Sequence, residues 1–233
     1  MYSLFKLVLF DIDGTLLMSG GGGKRALNRA FLKSFGVSEA FEGIPVAGRT
    51  DHLILEDAVS RAGVSVTTDL RADFYSCYFN FLKEEILKPG PRKGLMPGVK
   101  ELLNRLDVSQ NIVLGLLTGN FFEAAKIKLT YFDLWHYFIC GAYGDDGIQR
   151  RELVPVALKR ARDLGKEIQS VAQVIIVGDT PLDIECAKST GALSIAVATG
   201  YFSTSELKSH GADHVMTDLQ DSDAFIKIID GAG

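Results

Sequence analysis

The chain has 233 residues, 47% hydrophobic and 23% charged, the balance of an ordinary globular protein and the length of one large domain or one domain with an insertion. That composition excludes a disordered chain, which lacks the apolar surface to offset its ordering entropy. Twenty-nine acidic against 25 basic side chains leave a net charge of -4, which disfavours a nucleic-acid partner.

Cys77, Cys140 and Cys186 are scattered and odd in number. They match neither a metal site nor a disulfide framework and point to a reducing, cytoplasmic compartment. The apolar start, Met1 to Phe10, is interrupted by Asp11 and Asp13. It is shorter than the ~20 residues of a membrane span and lacks the cleavage site of a signal peptide. No membrane partner is expected.

Leu7-Val8-Leu9-Phe10 is a continuous apolar run, the pattern of a strand buried on both faces. From Met18 to Lys93 the patterns are helical. Leu27, Ala30, Phe31 and Phe35 mark one helix, stopped by Gly36. Leu55, Ala58, Val59 and Ala62 mark a second, stopped by Gly63. Leu70, Phe74, Cys77 and Phe81 mark a third, with Thr68 or Asp69 as N-cap. Gly20 to Gly23 precede this stretch, and Pro89-Gly90-Pro91 with Pro97-Gly98 follow it. The four-glycine run is a tolerant linker or, because it abuts the first polar cluster, a hinge. Residues 1–17 and 94–233 then form one α/β core and residues 18–93 an inserted helical unit. Within the core, Val99, Leu102, Leu103 and Leu106 mark a helix, as do Phe122, Ala125 and Leu129. Apolar runs at Ile112 to Leu117, Val174 to Val177 and Leu193 to Val197, with a short strand at Tyr137 to Cys140, complete an open parallel sheet.

Three strand ends carry polar clusters: Asp11-Ile12-Asp13-Gly14-Thr15, Thr118-Gly119-Asn120, and Gly178-Asp179-Thr180-Pro181-Leu182-Asp183. Residues i and i+2 on extended backbone share a face, so Asp11 and Asp13 project together. Asp183 joins Asp179 if a helix begins between them. Each cluster alone is an ordinary turn or cap; together they lie where open α/β sheets bind ligands. Carboxylates this close repel, and a divalent cation relieves that. Oxygen donors favour magnesium. A carboxylate there can also act as a nucleophile and form an aspartyl-phosphate.

These motifs resemble the haloacid dehalogenase-like superfamily, in its phosphoglycolate phosphatase-like branch with a helical cap. Asp11 to Thr15 matches the Asp-x-Asp-Gly-Thr motif, Thr118 with Gly119 and Asn120 the second, and Asp179 with Asp183 the fourth. The resemblance implies a Rossmann-like core and a phosphatase acting on a small phosphorylated metabolite. Asp11 would attack phosphorus and Asp13 would serve as acid and base. Thr118, with Gly14, Thr15, Gly119 and Asn120, would surround the phosphoryl group. Asp11, Asp13 through its carbonyl, Asp179 and Asp183 would hold magnesium. Asp13 also sets the chain apart from dehalogenases, which generally lack it, and from transport ATPases, which carry Thr.

The third motif departs from the pattern, because the family's Lys has no direct counterpart. Arg150 stands at the expected spacing from Pro155; Arg151 and Lys159 are the alternatives. In the helical unit, Arg49 either binds a substrate carboxylate or second phosphate, or pairs with Asp51 on the surface. The histidines show no pairing pattern, and the aromatic stretches Phe74 to Phe81 and Tyr131 to Phe138 are expected in the core. A β-phosphoglucomutase-like enzyme is the first rival reading, and a non-catalytic protein on the same scaffold the second.

Overall fold

The computed structural model of the protein describes residues 5–231; Met1 to Leu4 of the expected first strand lie outside this range. Lys6–Phe10 forms β1. Val8 and Phe10 enter one hydrophobic core, and Leu7 and Leu9 enter another on the opposite face. This two-sided burial is why the run is continuously apolar. Leu17–Met18 forms β2, which pairs antiparallel with β3, Gly94–Leu95. Between them lie α1 (Gly22–Phe35), α2 (Asp51–Ala62) and α3 (Thr68–Glu85).

The remainder alternates: α4 (Val99–Asp107), β4 (Ile112–Leu117), α5 (Phe122–Tyr131), β5 (Cys140–Ala142), α6 (Leu153–Asp163), β6 (Val174–Gly178), α7 (Pro181–Thr190), β7 (Leu193–Val197), α8 (Thr204–Ser209), β8 (His214–Met216) and α9 (Ser222–Gly231). Six strands form one parallel sheet in the order β5-β4-β1-β6-β7-β8. Helices α4, α5 and α9 cover one face and α6 and α7 the other. The fold is the expected α/β, Rossmann-like one. β1 is central, and the chain continues to β4 on one side and β6 on the other. That switch point opens a crevice at the carboxyl ends of the three strands that carry the polar clusters.

The helices between β2 and β3 surround a third core, containing Phe31, Phe41, Phe74 and Tyr78. Phe121 and Ala124 at the start of α5 also enter it, whereas Ala125 and Leu129 face the core against the sheet. Helix α5 thus lies between two cores. Gly36 and Gly63 end α1 and α2 in the left-handed region, at φ 73° and 64°.

Local expectations differ in several places. The N-cap of α3 is Thr67, whose hydroxyl accepts from Leu70 N at 3.3 Å. Phe122 is 43% exposed, and Phe121 takes its place in the apolar row. The segment expected as a strand at Tyr137 to Cys140 opens as a 3-10 turn, Trp135–Tyr137, and sheet pairing starts only at Cys140 opposite Gly115. Tyr131 in the second aromatic stretch is exposed. The edge strand β8 is three half-buried residues, too short to show a period.

Gly22 and Gly23 belong to α1, so only Gly20 and Gly21 lie in the connection. The two connecting segments pass each other in close contact there. A side chain on Gly90 would stand 2.0 Å from the Gly20 carbonyl oxygen. Next to this crossing Glu85, only 2% exposed, receives Arg25 Nε at 2.7 Å, Arg29 Nη1 at 2.8 Å and Lys88 Nζ at 2.6 Å.

Candidate active site

Asp11 follows β1 directly, and its N–H donates to Val177 O at 2.9 Å across the β1–β6 seam. The chain turns at Gly14, φ 91°, where any side chain would collide with Asp179 at 2.4 Å. Thr15 is fully buried, and its hydroxyl donates to Asp179 Oδ1 at 3.1 Å. It therefore supports Asp179 and does not face the crevice. Thr199 Oγ1 holds the Gly14 carbonyl at 2.5 Å. Asp183 comes from the first turn of α7, where Thr180 N–H and hydroxyl donate to its Oδ2 at 3.1 and 2.7 Å.

Asp11, Asp179 and Asp183 converge, with one carboxylate oxygen of each within 4.8 Å of the others. Asp13, expected to contribute its carbonyl, keeps its side chain out of this cluster: the carboxylate turns to Lys128, 2.5 Å away. Burial pushes the Asp11 carboxyl up to about 6, against the pull of Arg150. Burial, then Asp11 and Asp183, raise Asp179 well above the carboxylate range. Asp183 Oδ1 is buried and receives no aligned hydrogen bond. Hard, mutually repelling oxygens gathered this closely suit a divalent cation.

Of the three residues considered for the third-motif cation, Arg150 is the one that lies beside Asp11. It is 7% exposed and opens a 3-10 turn before α6. Its Nη2 lies 3.1 Å from Asp11 Oδ1 and 2.5 Å from Asp183 Oδ1, and donates to Leu117 O at 2.9 Å. The two carboxylates raise its pKa despite burial. Arg151 is exposed. Lys159 is 76% exposed and pairs with Asp163 at 2.6 Å. Neither reaches Asp11.

On the other flank, Thr118 is fully buried, and its Oγ1 accepts from Asn120 Nδ2 at 2.9 Å. The segment Gly48 to Asp51 seats on this rim. Gly48 O accepts from Arg150 Nη1 at 3.3 Å, Thr50 Oγ1 donates to Ile148 O at 2.9 Å, and Asp51 N donates to Gly119 O at 2.7 Å. Asp51 Oδ2 in turn accepts from Phe121 N at 3.0 Å. Burial raises Asp51 to about 6, with Lys128 opposing. Arg49 pairs with Asp57 at 2.7 Å, not with Asp51 as expected for a surface arginine.

A cavity of about 480 Å³ joins these pieces, lined by Asp11, Asp13, Arg49, Gly119, Asn120, Arg150 and Asp179. Lys128, Asp51, Tyr78 and Arg92 line it too, and the motifs did not announce them. Lys128 did leave a signal: it interrupts the row Phe121, Ala124, Ala125, Leu129 at a position where an apolar residue belongs. No helix among the described residues is long and apolar enough to cross a membrane.

Residues 8–197 match the family of haloacid dehalogenase-like hydrolases. The chain is 31% identical over 206 residues to "Probable phosphatase IndB" of Dickeya dadantii, covering 87% of this chain and 85% of that one. It is 26% identical over 227 residues to the phosphoglycolate phosphatase of Photorhabdus laumondii, covering 93% and 90%. Among solved structures, a Haemophilus somnus protein predicted to be a phosphoglycolate phosphatase superposes with a TM-score of 0.70 at 23% identity, covering 96% of this chain and 97% of that one. A Bacteroides vulgatus protein assigned as a β-phosphoglucomutase gives 0.65 at 22%, covering 99% and 90%; at such identities the likeness is one of fold. With its motif residues gathered at one strand-end crevice and residues 8–197 matched by the family, the chain belongs to the haloacid dehalogenase-like hydrolases, in their phosphoglycolate phosphatase-like branch, and is a hydrolase of phosphoric monoester bonds.

Proposed function

We propose that the protein is a magnesium-dependent phosphatase of a small phosphate monoester, phosphoglycolate or a sugar phosphate, working through an aspartyl-phosphate at Asp11. The observation that carries this reading is the pairing of buried Asp11 with Arg150 at 3.1 Å, in a carboxylate cluster at the mouth of a cavity that also contains Asp13. In the first step an Asp11 oxygen attacks phosphorus, the ester P–O bond breaks, and Asp13 gives its proton to the leaving oxygen. In the second, Asp13 takes a proton from water, the oxygen attacks phosphorus, and the acyl-phosphate bond breaks to release phosphate.

Arg150 neutralises Asp11 as the dianion approaches, and Thr118 with the Gly119 and Asn120 backbone frames the phosphoryl oxygens. Asp11, the Asp13 carbonyl, Asp179 and Asp183 would hold magnesium, which when bound neutralises charge shared by the carboxylates and the phosphate. Residues 18–93 act as the cap and residues 1–17 and 94–233 as the catalytic core. Arg49 faces the cavity from the cap side and is placed to meet an acidic group of the substrate. The compartment proposed is the cytoplasm, supported by three unpaired cysteines.

The test is a panel of phosphate monoesters with magnesium, scored by kcat/KM, alongside Asp11→Asn. Turnover requires magnesium, stops in excess chelator, and is lost in the isosteric amide. Full activity in chelator, or wild-type turnover by Asp11→Asn, defeats the proposal. A dependence on added sugar bisphosphate identifies a phosphomutase instead.

A further inference from the structure

Lys128 is 5% exposed on a helix whose neighbouring buried residues are apolar. Burying an ammonium is costly unless it is paired, and a methionine or leucine would fill the same row. The pairing is specific. Lys128 Nζ lies 2.5 Å from Asp13 Oδ2 and 2.6 Å from Asn120 Oδ1. Asn120 Nδ2 donates to the same Asp13 oxygen at 2.9 Å and to Thr118 Oγ1 at 2.9 Å. Two donors therefore converge on one oxygen of Asp13. Its other oxygen, Oδ1, has no hydrogen-bond partner among the described residues, and the side chain remains 37% exposed at the cavity.

We propose that Lys128 is a positioning residue for Asp13. Together with Asn120 it fixes Oδ2 and leaves Oδ1 to exchange a proton with the leaving group and then with water. This inference rests on the acid–base reading of Asp13. Asp13 stands on a turn, where its side chain rotates freely unless held. Displacing a reacting group by about 1 Å costs on the order of 100-fold in rate. The geometry assigns to α5, which carries no motif residue, the task of aiming the proton carrier.

The experiment is rapid mixing of magnesium-loaded enzyme with p-nitrophenyl phosphate, whose leaving group departs without a proton, beside an alkyl phosphate, whose leaving group needs one. Lys128→Met keeps the length of the chain and removes the donor. It should release a stoichiometric burst of nitrophenolate at near the wild-type rate, then turn over ~100-fold more slowly as water attack fails. The alkyl phosphate should show the loss without a burst, at little change in KM. Asp13→Asn should behave alike, and adding Lys128→Met to it should cost less than ~2-fold more. Lys128→Gln, which retains a donor, should recover part of the loss and serves the same test if the Met variant does not fold. Additive losses, equal slowing of burst and steady state, a rise in KM alone, or unchanged turnover would each overturn the inference. A burst surviving in Asp11→Asn would instead show that the covalent reading is wrong.

Discussion

Arg150 places a permanent charge where two buried carboxylates need one, and its backbone and side chain are both engaged. On the proposed mechanism, removing it would leave Asp11 to meet a phosphate dianion with less neutralisation. Arg150→Ala should lower kcat/KM by ~100-fold or more, the range for one group that stabilises a charged transition state. Arg150→Lys should recover part, since charge returns without the planar fork. Exposed Arg151, changed to Ala, should matter far less. A reversed ranking in steady-state assays would contradict the geometry. At this scale the strand-end residues were legible because each breaks an apolar run with a polar group. Lys128 and Asp51 were harder to read. Their roles depend on partners 115 and 70 positions away in sequence, and no local spacing encodes that.

Among the elements, the joint between α1 and α3 depends on Glu85. Burial opposes its charge, but hydrogen bonds from Lys88, Arg25 and Arg29 outweigh this and bring the carboxyl from 4.5 down to about 2. A carboxylate held low in the folded state stabilises above its unfolded pKa and loses that contribution as pH falls. Because both arginines are over a third exposed, Glu85→Gln should cost about 1–2 kcal/mol at pH 7, seen as a midpoint lower by ~2–8 °C. The gap between variant and wild type should close between pH 4.5 and 2; a gap constant down to that limit would count against the assignment. Long periodic helices and their glycine stops were visible in the sequence, since capping and periodicity are local. The bounds of β5, expected at Tyr137 to Cys140, and the three-residue β8 were not, because pairing with β4 and β7 defines them.

For the whole molecule, three buried carboxylates beside one guanidinium leave the metal-free protein under internal repulsion. Asp11 at about 6 and the raised Asp179 bind protons more tightly folded than unfolded. Folding stability without metal should therefore increase as pH falls from 7 through 6 toward 5. Magnesium at pH 7 should raise the melting midpoint, by mass action on the folded state. Asp179→Asn should flatten the pH trend and weaken the response to magnesium. A chelated protein that melts lower at pH 5 than at pH 7, or one indifferent to magnesium, would count against this account. The alternation of strands and helices made a parallel sheet legible. The order of the strands was not, since it depends on which side of β1 each crossover lands.

The Gly48 to Asp51 segment hydrogen-bonds to the loops after β4 and β5 and to Arg150 itself. Lifting that segment would therefore loosen the loops proposed to frame the phosphoryl group. On the proposed mechanism, admission of a ligand and completion of the catalytic arrangement would be a single event. A poorly fitting phosphate ester would still be captured by charge but would react in a half-assembled site. Discrimination among substrates would then fall on turnover number more than on apparent affinity.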